Sequence, residues 1–169
     1  MRYDILGATS TPPLQYNTNK YTSNVGYDAT ATTLTSPKAD TFLSALPSDL
    51  RGKLRLWTRY VDAVGNSSTS DSAIQATVDA VTLLAECEIF ASRAHSNSNE
   101  FNHNTRMAYY TSGNSTIKKK VSDGITDVAW WECSPNSSNS RAFCRVKDDG
   151  TATGGSAFTT YCLAPAFKI

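Results

Sequence analysis

Trp-Trp-Glu-Cys-Ser-Pro at residues 130–135 opens the most informative part of the chain. It is followed by Phe-Cys-Arg-Val-Lys-Asp-Asp-Gly at 143–150 and by Leu-Ala-Pro-Ala-Phe-Lys-Ile at 163–169. Polar runs separate the three segments, and about half of the residues from 136 to 162 are Ser, Thr, Gly or Asn. Burying one large apolar side chain contributes about 1.5–3 kcal/mol. The pattern therefore predicts a backbone fixed by apolar anchors, with a polar surface between them that is free to vary.

These segments resemble the C-terminal domain of a family of bacterial and phage proteins. Members of that family end in Trp-Trp-Leu-Arg-Ser-Pro, Phe-Cys-x-Val-x-x-Asp-Gly and Gly-Leu-Ala-Pro-Ala-Phe, again separated by polar runs. Residues 1–7, 25–34 and 83–90 also match, so the resemblance covers nearly the whole chain. More distantly, the chain is similar to the variable proteins of diversity-generating retroelements, which have a C-type-lectin fold of the formylglycine-generating-enzyme type.

The resemblance implies an α+β fold with short helices and small antiparallel sheets. We expect a single C-type-lectin-like domain over residues 1–169, with residues 130–169 as the variable ligand-binding region. The chain departs from the family pattern at Glu132-Cys133, where Leu-Arg is usual, and at Cys162, where Gly is usual. In a retroelement variable protein these are diversified positions, whereas in an ordinary family member they are drift. Both interpretations remain open at this stage.

Composition excludes several classes of protein. A chain of 169 residues and 18.3 kDa fits one domain and can bury close to 70% of its unfolded surface. Only 18% of the residues are charged and the net charge is +1, so no nucleic-acid partner is indicated. No stretch approaches the roughly 18 apolar residues of a membrane helix, and the start has no apolar signal region. We expect a protein that is made in the cytoplasm and does not insert into a membrane.

Periodicity predicts the secondary structure in outline. Ser36 is typical of a helix N-cap followed by Pro37, and residues 48–53 suggest a second helical turn. Alternation predicts a strand from residue 54 to 61, a turn at 65–68 and a hairpin partner in 73–82. A second turn is predicted at Asp148-Asp149-Gly150. Further strands are predicted at 2–6, 107–110, 116–122, 130–135, 143–146, 151–157 and 163–167, and residues 83–90 are predicted to form a core strand or short element.

Three groups of polar residues invite a chemical interpretation. Glu86 and Glu88 could divide acid and base roles, but we favour one capping a neighbouring backbone and the other facing solvent. His95 and His103 are interpreted as surface residues, because no third metal ligand is signalled. The triple lysine at 118–120 could attract an anionic glycan, yet a solvated strand edge is the favoured interpretation.

The four cysteines have no Cys-x-x-Cys spacing and no metal-like spacing, so mostly buried free thiols are expected. They are Cys87, Cys133, Cys144 and Cys162. The segment Ser134-Pro135-Asn136 lacks the carboxylate of the Glu-Pro-Asn motif that binds sugar and calcium in many lectins. We therefore predict no metal and no cofactor. Adjacent strand residues face opposite sides, so one of Trp130 and Trp131 should enter the core while the other supports the ligand-facing surface.

The favoured function is ligand binding through the polar surface of the C-terminal region, as a host-recognition variable protein on a phage particle or other surface structure. The expected partner is a protein or glycan on a bacterial cell surface, and any homo-oligomer would form through the globular surface because no heptads occur. Arginine and tyrosine suit binding hot spots, whereas Ser, Gly and Asn adapt to many shapes. The candidate ligand-binding residues are Glu132, Asn136, Ser137, Asn139, Arg141, Arg145, Lys147, Thr151, Thr153, Ser156, Phe158, Thr159 and Tyr161.

Two other functions are weighed against ligand binding. An enzyme would need a reactive cysteine pair such as Cys133 and Cys144, and no phosphate loop or nucleophile elbow supports it. A virion or tail-fibre domain of fixed specificity, without a diversified site, is the main alternative.

Overall fold

The computed structural model describes residues 46–62, 69–111, 115–121, 124–139, 142–156, 159 and 161–169. The predicted strand at 2–6, the helix expected after Ser36 and the turn expected at 65–68 lie outside these residues. Within them, short helices and small, mainly antiparallel sheets form an α+β structure, as predicted. No helix in the described ranges is long and apolar enough to cross a membrane.

A hairpin forms the first sheet. Strand β1 (Trp57–Asp62) pairs antiparallel with β2 (Ile74–Asp79), which confirms the hairpin predicted from the alternating pattern. Helix α1 (Ser48–Arg51) precedes β1 and confirms the helical turn expected there. Arg59 and Val61 lie on the buried side of β1, while Thr58 on the other side is exposed. The hairpin thus places a charged arginine, and not only apolar residues, in the interior.

Short elements fill the middle of the chain. Strand β3 (Val81–Thr82) is followed by helix α2 (Glu86–Ile89), whose residues are all buried, and by helix α3 (Glu100–His103). The segment Ala108–Tyr110 is a 3-10 helix and not the predicted strand. The backbone N–H of Tyr110 donates to the Met107 carbonyl at 2.9 Å, which closes a helical turn, and the Tyr110 ring packs into the core. These elements give the core its polar groups as well as its apolar ones.

The predicted strand at 116–122 is also wrong over most of its length. Residues Ser115–Lys118 form a 3-10 helix, and only Lys120–Val121 are extended, as β4 paired with β5 (Asp127–Val128). The indole nitrogen of Trp130 donates to the Lys118 carbonyl at 2.9 Å. This long-range contact uses a backbone group that a longer strand would need for its own pairing.

The C-terminal signature builds the largest sheet, in the order β8–β7–β6–β9. Its strands are β6 (Trp130–Pro135), β7 (Ala142–Val146), β8 (Ala152–Ser156) and β9 (Cys162–Leu163), and β9 runs parallel to β6. The predicted strands at 130–135 and 143–146 are confirmed, and the strand predicted at 151–157 is confirmed over 152–156, with residue 157 outside the described residues. The expected strand at 163–167 is two short strands, because β10 (Ala166–Phe167) pairs with β3 instead.

The turn between β7 and β8 requires glycine at position 150. Gly150 has a φ of +84°, which residues with a side chain rarely adopt, and a Cβ there would lie 2.1 Å from the Ser115 carbonyl oxygen. The turn is closed by the Lys147 N–H, which donates to the Thr151 carbonyl at 2.8 Å. The Asp-Asp-Gly sequence therefore sets the register of β7 and β8.

Trp130 and Trp131 point to opposite faces of this sheet and belong to two separate core clusters. Trp131 packs with Val61, Phe143 and Leu163, whereas Trp130 packs with residues such as Tyr110. Both indoles are buried, so both tryptophans belong to the core, whereas the sequence pattern predicted that only one of them would enter it. Strand β6 is therefore covered on both faces, and the parts of the sheet that reach solvent lie on β7, β8 and the loops beside them.

Candidate functional site

An arginine, a tyrosine and a tryptophan form a stack on one face of the C-terminal sheet. The Arg145 guanidinium carbon lies 4.3 Å from the centroid of the Tyr161 ring. That ring in turn meets Trp131 edge-on, with centroids 4.9 Å apart. Arg145 Nε also donates to the Gly154 carbonyl at 3.3 Å. Arg145 and Tyr161 are partly exposed over a buried indole, so their polar and aromatic surfaces are held in place and available to solvent.

Glycine at position 155 makes room for this stack. A Cβ added to Gly155 would lie 2.8 Å from Arg145 Cδ and 3.0 Å from a ring carbon of Tyr161. The adjacent Gly154 faces the opposite side, where a Cβ would lie 2.7 Å from the amide nitrogen of Asn136. The Gly-Gly pair of β8 therefore lets side chains from neighbouring strands lie close over its backbone.

The other exposed candidates lie along the same hairpin and beside it. Lys147 and Thr151 flank the turn, where Thr151 donates its hydroxyl to Asp149 at 2.5 Å. Thr153 lies opposite Arg145, and Ser156 lies at the far end of the hairpin. At about 3.4 Å per residue, the two ends of these five-residue strands are separated by roughly 15 Å. Asn139 and Thr159 are exposed in the flanking loops. Arg141 and Phe158 lie outside the described residues.

Three of the predicted contact residues are buried, so the prediction that they face a ligand is wrong for these three. Ser137 uses its hydroxyl and its backbone N–H to donate to the His95 carbonyl, each at 2.9 Å. Asn136 accepts from the Ser138 N–H at 2.9 Å and so shapes the loop after β6. Glu132 has no exposed surface at all. Asn136 and Ser137 tie the backbone together, and Glu132 points inward, so none of the three offers a direct surface contact.

The carboxylates of Glu86 and Glu88 are both buried, so the expectation that one of them faces solvent was wrong. Glu88 pairs with the Arg59 guanidinium and also accepts from the Ala85 N–H at 2.7 Å. Its capping of a neighbouring backbone is confirmed. Glu86 accepts from the backbone N–H groups of His95 and Ser96, at 3.0 and 2.8 Å. Glu88 thus caps helix α2 and links it to strand β1, whereas Glu86 fixes the loop at residues 95–96 to the same helix.

Glu100 adds a third buried carboxyl group to this interior. It accepts from the Asp62 N–H at 2.9 Å and from the Ser134 hydroxyl at 2.6 Å. Burial raises the pKa of Glu100 to about 8. The nearby charges of Asp62 and Glu86 also raise this pKa, whereas the two hydrogen bonds lower it. Glu100 is therefore protonated in the folded state over a pH range where an unfolded glutamate is ionised.

We expect this shift to make the protein less stable as pH rises. The folded pKa of Glu100, about 8, lies above the ordinary value of 4.5, so unfolding releases a proton between these two values. The contribution of Glu100 to the free energy of unfolding should fall by at most about 1.4 kcal/mol per pH unit in that window. Urea denaturation at pH 5, 6, 7 and 8 measures the slope. Glu100→Gln should flatten it, and the exposed control Asp49→Asn should leave it unchanged; equal slopes in wild type and Glu100→Gln would contradict the assignment.

A cluster of two carboxyl groups and a thiol lies beside this network. One ligand atom from each of Glu86, Glu132 and Cys144 lies within 4.8 Å of the others, and all three residues are buried. Neither carboxylate oxygen of Glu132 has a hydrogen-bond partner among the described residues. No residue spacing points to this cluster, since its members come from a helix and two strands. The one hint was the glutamate at position 132, where leucine is usual in the family it resembles.

The lysines and histidines contribute little to either site. Lys118 is buried with its ammonium 5.4 Å from the Phe90 ring centroid, so the solvated-edge interpretation was wrong for this residue. Lys119 is paired with Asp127 at 2.6 Å. His103 lies at the surface, as predicted, 2.7 Å from an Asp71 carboxylate oxygen, and His95 is half-buried.

The thiols are in surroundings that keep them protonated. Cys87, Cys133 and Cys144 are buried and Cys162 is partly buried, and all four are free. Burial raises the pKa of Cys133 to about 12 and raises that of Cys144 as well. A thiol that is protonated at neutral pH is a poor nucleophile. This environment gives no support to a catalytic cysteine pair.

Residues 15–169 match the family described as Domain of unknown function (DUF6273). The chain belongs to the DUF6273 family. The match covers the hairpin, the buried carboxylates and the whole C-terminal sheet, so the Arg145–Tyr161 stack and the Glu132 cluster both lie within the DUF6273 domain. No curated protein and no solved structure matches the chain significantly.

Proposed function

We propose that this DUF6273 domain is a ligand-binding module whose contact surface is the outer part of the β7–β8 hairpin and the segment that leads to β9. The observation that carries the proposal is the stack of Arg145 on Tyr161 over the buried Trp131. Arginine and tyrosine bury large contact areas at protein interfaces and are enriched among hot spots. Here both are positioned before a ligand arrives, which lowers the entropic cost of binding.

The surroundings of the stack support the same proposal. The residues around it are small and polar, as at the partly exposed Thr153 and the exposed Ser156 and Thr159, and such residues can change with little effect on stability. The backbone beneath them is fixed by buried anchors on both faces, including Trp131 on one face and Trp130 on the other. A rigid sheet that presents replaceable side chains can change its ligand without losing its fold.

The finer proposal is that the domain is a variable protein of a diversity-generating retroelement with a C-type-lectin fold, encoded by a phage and displayed on the virion or another surface structure. Its ligand would be a protein or a glycan on a bacterial cell surface, bound without catalysis and without a calcium ion. What supports this is the resemblance of the C-terminal signature to those variable proteins, together with the position of the polar runs in and beside the β7–β8 hairpin.

Binding to intact bacteria tests the proposal. Fluorescently labelled wild-type domain, assembled on streptavidin for avidity, is titrated against intact cells of a panel of bacterial strains. Arg145→Ala should weaken cell binding by roughly 10-fold or more, the size expected for a hot spot. Arg51→Ala, a matched arginine exposed on helix α1, should bind as the wild type does. Equal binding by both variants, with unchanged circular dichroism, would remove the stack from the contact surface; treating the cells with protease or periodate separates protein from glycan ligands.

Sequencing tests the finer proposal. In a population that carries this gene, we expect substitutions confined to codons such as those of Asn139, Arg145, Thr153 and Tyr161, with a near-identical adenine-rich copy nearby. Uniform codons and no copy would instead support a structural virion or tail-fibre domain of fixed specificity.

A further inference from the structure

Glu132 is a buried acid that has no hydrogen-bond partner among the residues the structure describes. Its side chain has no exposed surface, and neither of its oxygens accepts a hydrogen bond from any described residue. Burying an ionised carboxylate costs several kcal/mol unless a cation or donors replace its water shell. Most buried polar groups in folded proteins are satisfied, so this exception requires a physical explanation.

The protein cations in the described ranges do not supply one. Arg59 donates to Glu88, and the ammonium of Lys118 lies over the Phe90 ring. The salt bridges among the described residues involve Glu88, Asp71 and Asp127, and none of them involves Glu132. What lies close to Glu132 is instead more potential negative charge, in the Glu86 carboxylate and the Cys144 thiol. The cluster therefore has ligand atoms, and no described residue supplies it with a positive charge.

We propose that Glu86, Glu132 and Cys144 bind a zinc ion. Carboxylate and thiolate together favour a borderline-soft divalent metal, and zinc accepts both kinds of ligand. Calcium and magnesium prefer sites made of oxygen alone, so the thiol argues against them. This site lies in the interior, and the proposal stands whether or not the surface stack binds a ligand.

The geometry needs only a modest closure. Zinc–oxygen distances of about 2.1 Å and a zinc–sulfur distance of about 2.3 Å place tetrahedral ligand atoms roughly 3.5 Å apart. The three ligand atoms here lie within 4.8 Å of one another, so a movement of about 1 Å brings them to the ion. The second oxygen of a carboxylate or one water molecule completes four-coordination.

Two of the ligands are already held in position. The Glu86 carboxylate is fixed by the N–H groups of His95 and Ser96, and the backbone of Cys144 is held in the centre of the sheet opposite Gly154. The hydrogen bond that the Cys144 thiol donates to the Pro135 carbonyl at 3.7 Å is given up when zinc replaces its proton. Glu132 sits in the irregular part of β6, between the paired residues Trp131 and Pro135. Hydrogen bonds to a ligand orient it and tune its affinity. The irregular strand leaves Glu132 as the ligand best able to adjust.

Binding is balanced by proton release. The zinc ion replaces the proton on the Cys144 sulfur, which passes to solvent, and it displaces a second proton when Glu132 is in its acid form. The bound complex of two carboxylates, one thiolate and Zn²⁺ carries a net charge of −1, in place of the −2 that two ionised carboxylates alone would carry. The affinity should therefore rise with pH.

Cobalt and zinc titrations of the full chain test the proposal. Purified protein, stripped with a chelator under reducing conditions, is titrated with Co²⁺ while the thiolate-to-cobalt charge-transfer band is recorded, and zinc affinity is measured by competition with a chromophoric chelator. We expect one ion per chain and a charge-transfer band. Cys144→Ala should abolish the band, and Glu132→Gln, which keeps the shape of the side chain, should weaken zinc binding by more than about 100-fold. Cys162→Ala, which removes a thiol outside the cluster, should change neither.

Two outcomes would overturn the assignment. The first is the absence of stoichiometric binding by folded wild-type protein, which would leave a proton shared within the cluster as the explanation for Glu132. The second is a band that survives in Cys144→Ala but disappears in Cys162→Ala, which would place the metal at the other thiol. Circular dichroism of each variant shows whether it is folded, and Glu132→Gln provides the test if Cys144→Ala does not fold.

Discussion

Replacing Arg59 with methionine is expected to lower the free energy of unfolding by about 3–5 kcal/mol. Arg59 is almost completely buried, and its guanidinium donates to both carboxylate oxygens of Glu88 and to the Thr82 hydroxyl. The guanidinium carbon of Arg59 also lies 5.1 Å from the Trp57 ring centroid. Removing the arginine would leave the Glu88 charge in the interior, where the Ala85 N–H is the one remaining donor among the described residues. Urea denaturation at pH 7 in the presence of a chelator measures the loss.

A double variant separates the charge from the packing. Arg59→Met combined with Glu88→Met removes both charges and fills the space with apolar side chains of similar length, so most of the lost stability should return. Arg55→Met, which changes an exposed arginine four residues earlier in the chain, should have little effect. If Arg59→Met were as stable as wild type, or if the double variant were the least stable of the set, the pair would not be the structural link between β1 and α2 that the contacts indicate.

The parts of the fold that follow from local patterns could be read from the sequence. Alternation located the β1–β2 hairpin, and the sequence Asp-Asp-Gly located the turn at Gly150, because both signals come from residues close together in the chain. The same applies to strand β6 and its end at Pro135. Alternation does not indicate which distant strand a given strand pairs with. The pairing of β10 with β3 could therefore not be predicted.

Buried polar groups are where the sequence-based reasoning failed. Glu86 and Glu88 were expected to divide between capping and solvent, and Lys118 was expected at a solvated edge. Charged residues are rarely buried without a partner, so a sequence read alone assigns them to the surface. Their partners here come from other parts of the chain, as Arg59 does for Glu88, 29 residues away. The energetics of such residues depend on tertiary contacts that no local spacing encodes.

The candidate contact surface was predicted in part for the same reason. Arg145 and Tyr161 were chosen as polar or aromatic residues between apolar anchors, and the structure brings them together through the pairing of β6 with β7 and β9. Ser137 was chosen by the same rule and instead ties its loop to His95. Composition identifies the segments that are rich in small polar residues. Hydrogen bonding in the folded chain decides which of their side chains face outward.

Replacing Glu132 with leucine is expected to have the opposite effect to the Arg59 substitution. In a chelator at neutral pH, Glu132→Leu should raise the free energy of unfolding by about 1–4 kcal/mol, because an apolar side chain removes a buried acid that has no partner among the described residues. Burial raises the pKa of Glu132 well above 4.5, and the charges of Glu86 and Glu100 raise it further. The folded state therefore retains a proton that unfolding releases, so the advantage of leucine should grow as pH rises above about 4.5.

Zinc should reverse the order of the two proteins. Wild type should gain stability with zinc concentration by mass action, about 2.7 kcal/mol at 100 times the dissociation constant, whereas Glu132→Leu has lost a ligand and should gain much less. Glu132→Gln serves as the control, since it removes the charge without adding apolar surface and should fall between the two in chelator. A leucine variant that is less stable than wild type even in chelator would mean that Glu132 has a stabilising partner in the folded protein. A variant that gains as much from zinc as wild type does would mean that the ion binds without Glu132. The sign of the stability change at this one position, measured with and without metal, therefore distinguishes a carboxylate kept for a cation from one that is only tolerated in the core.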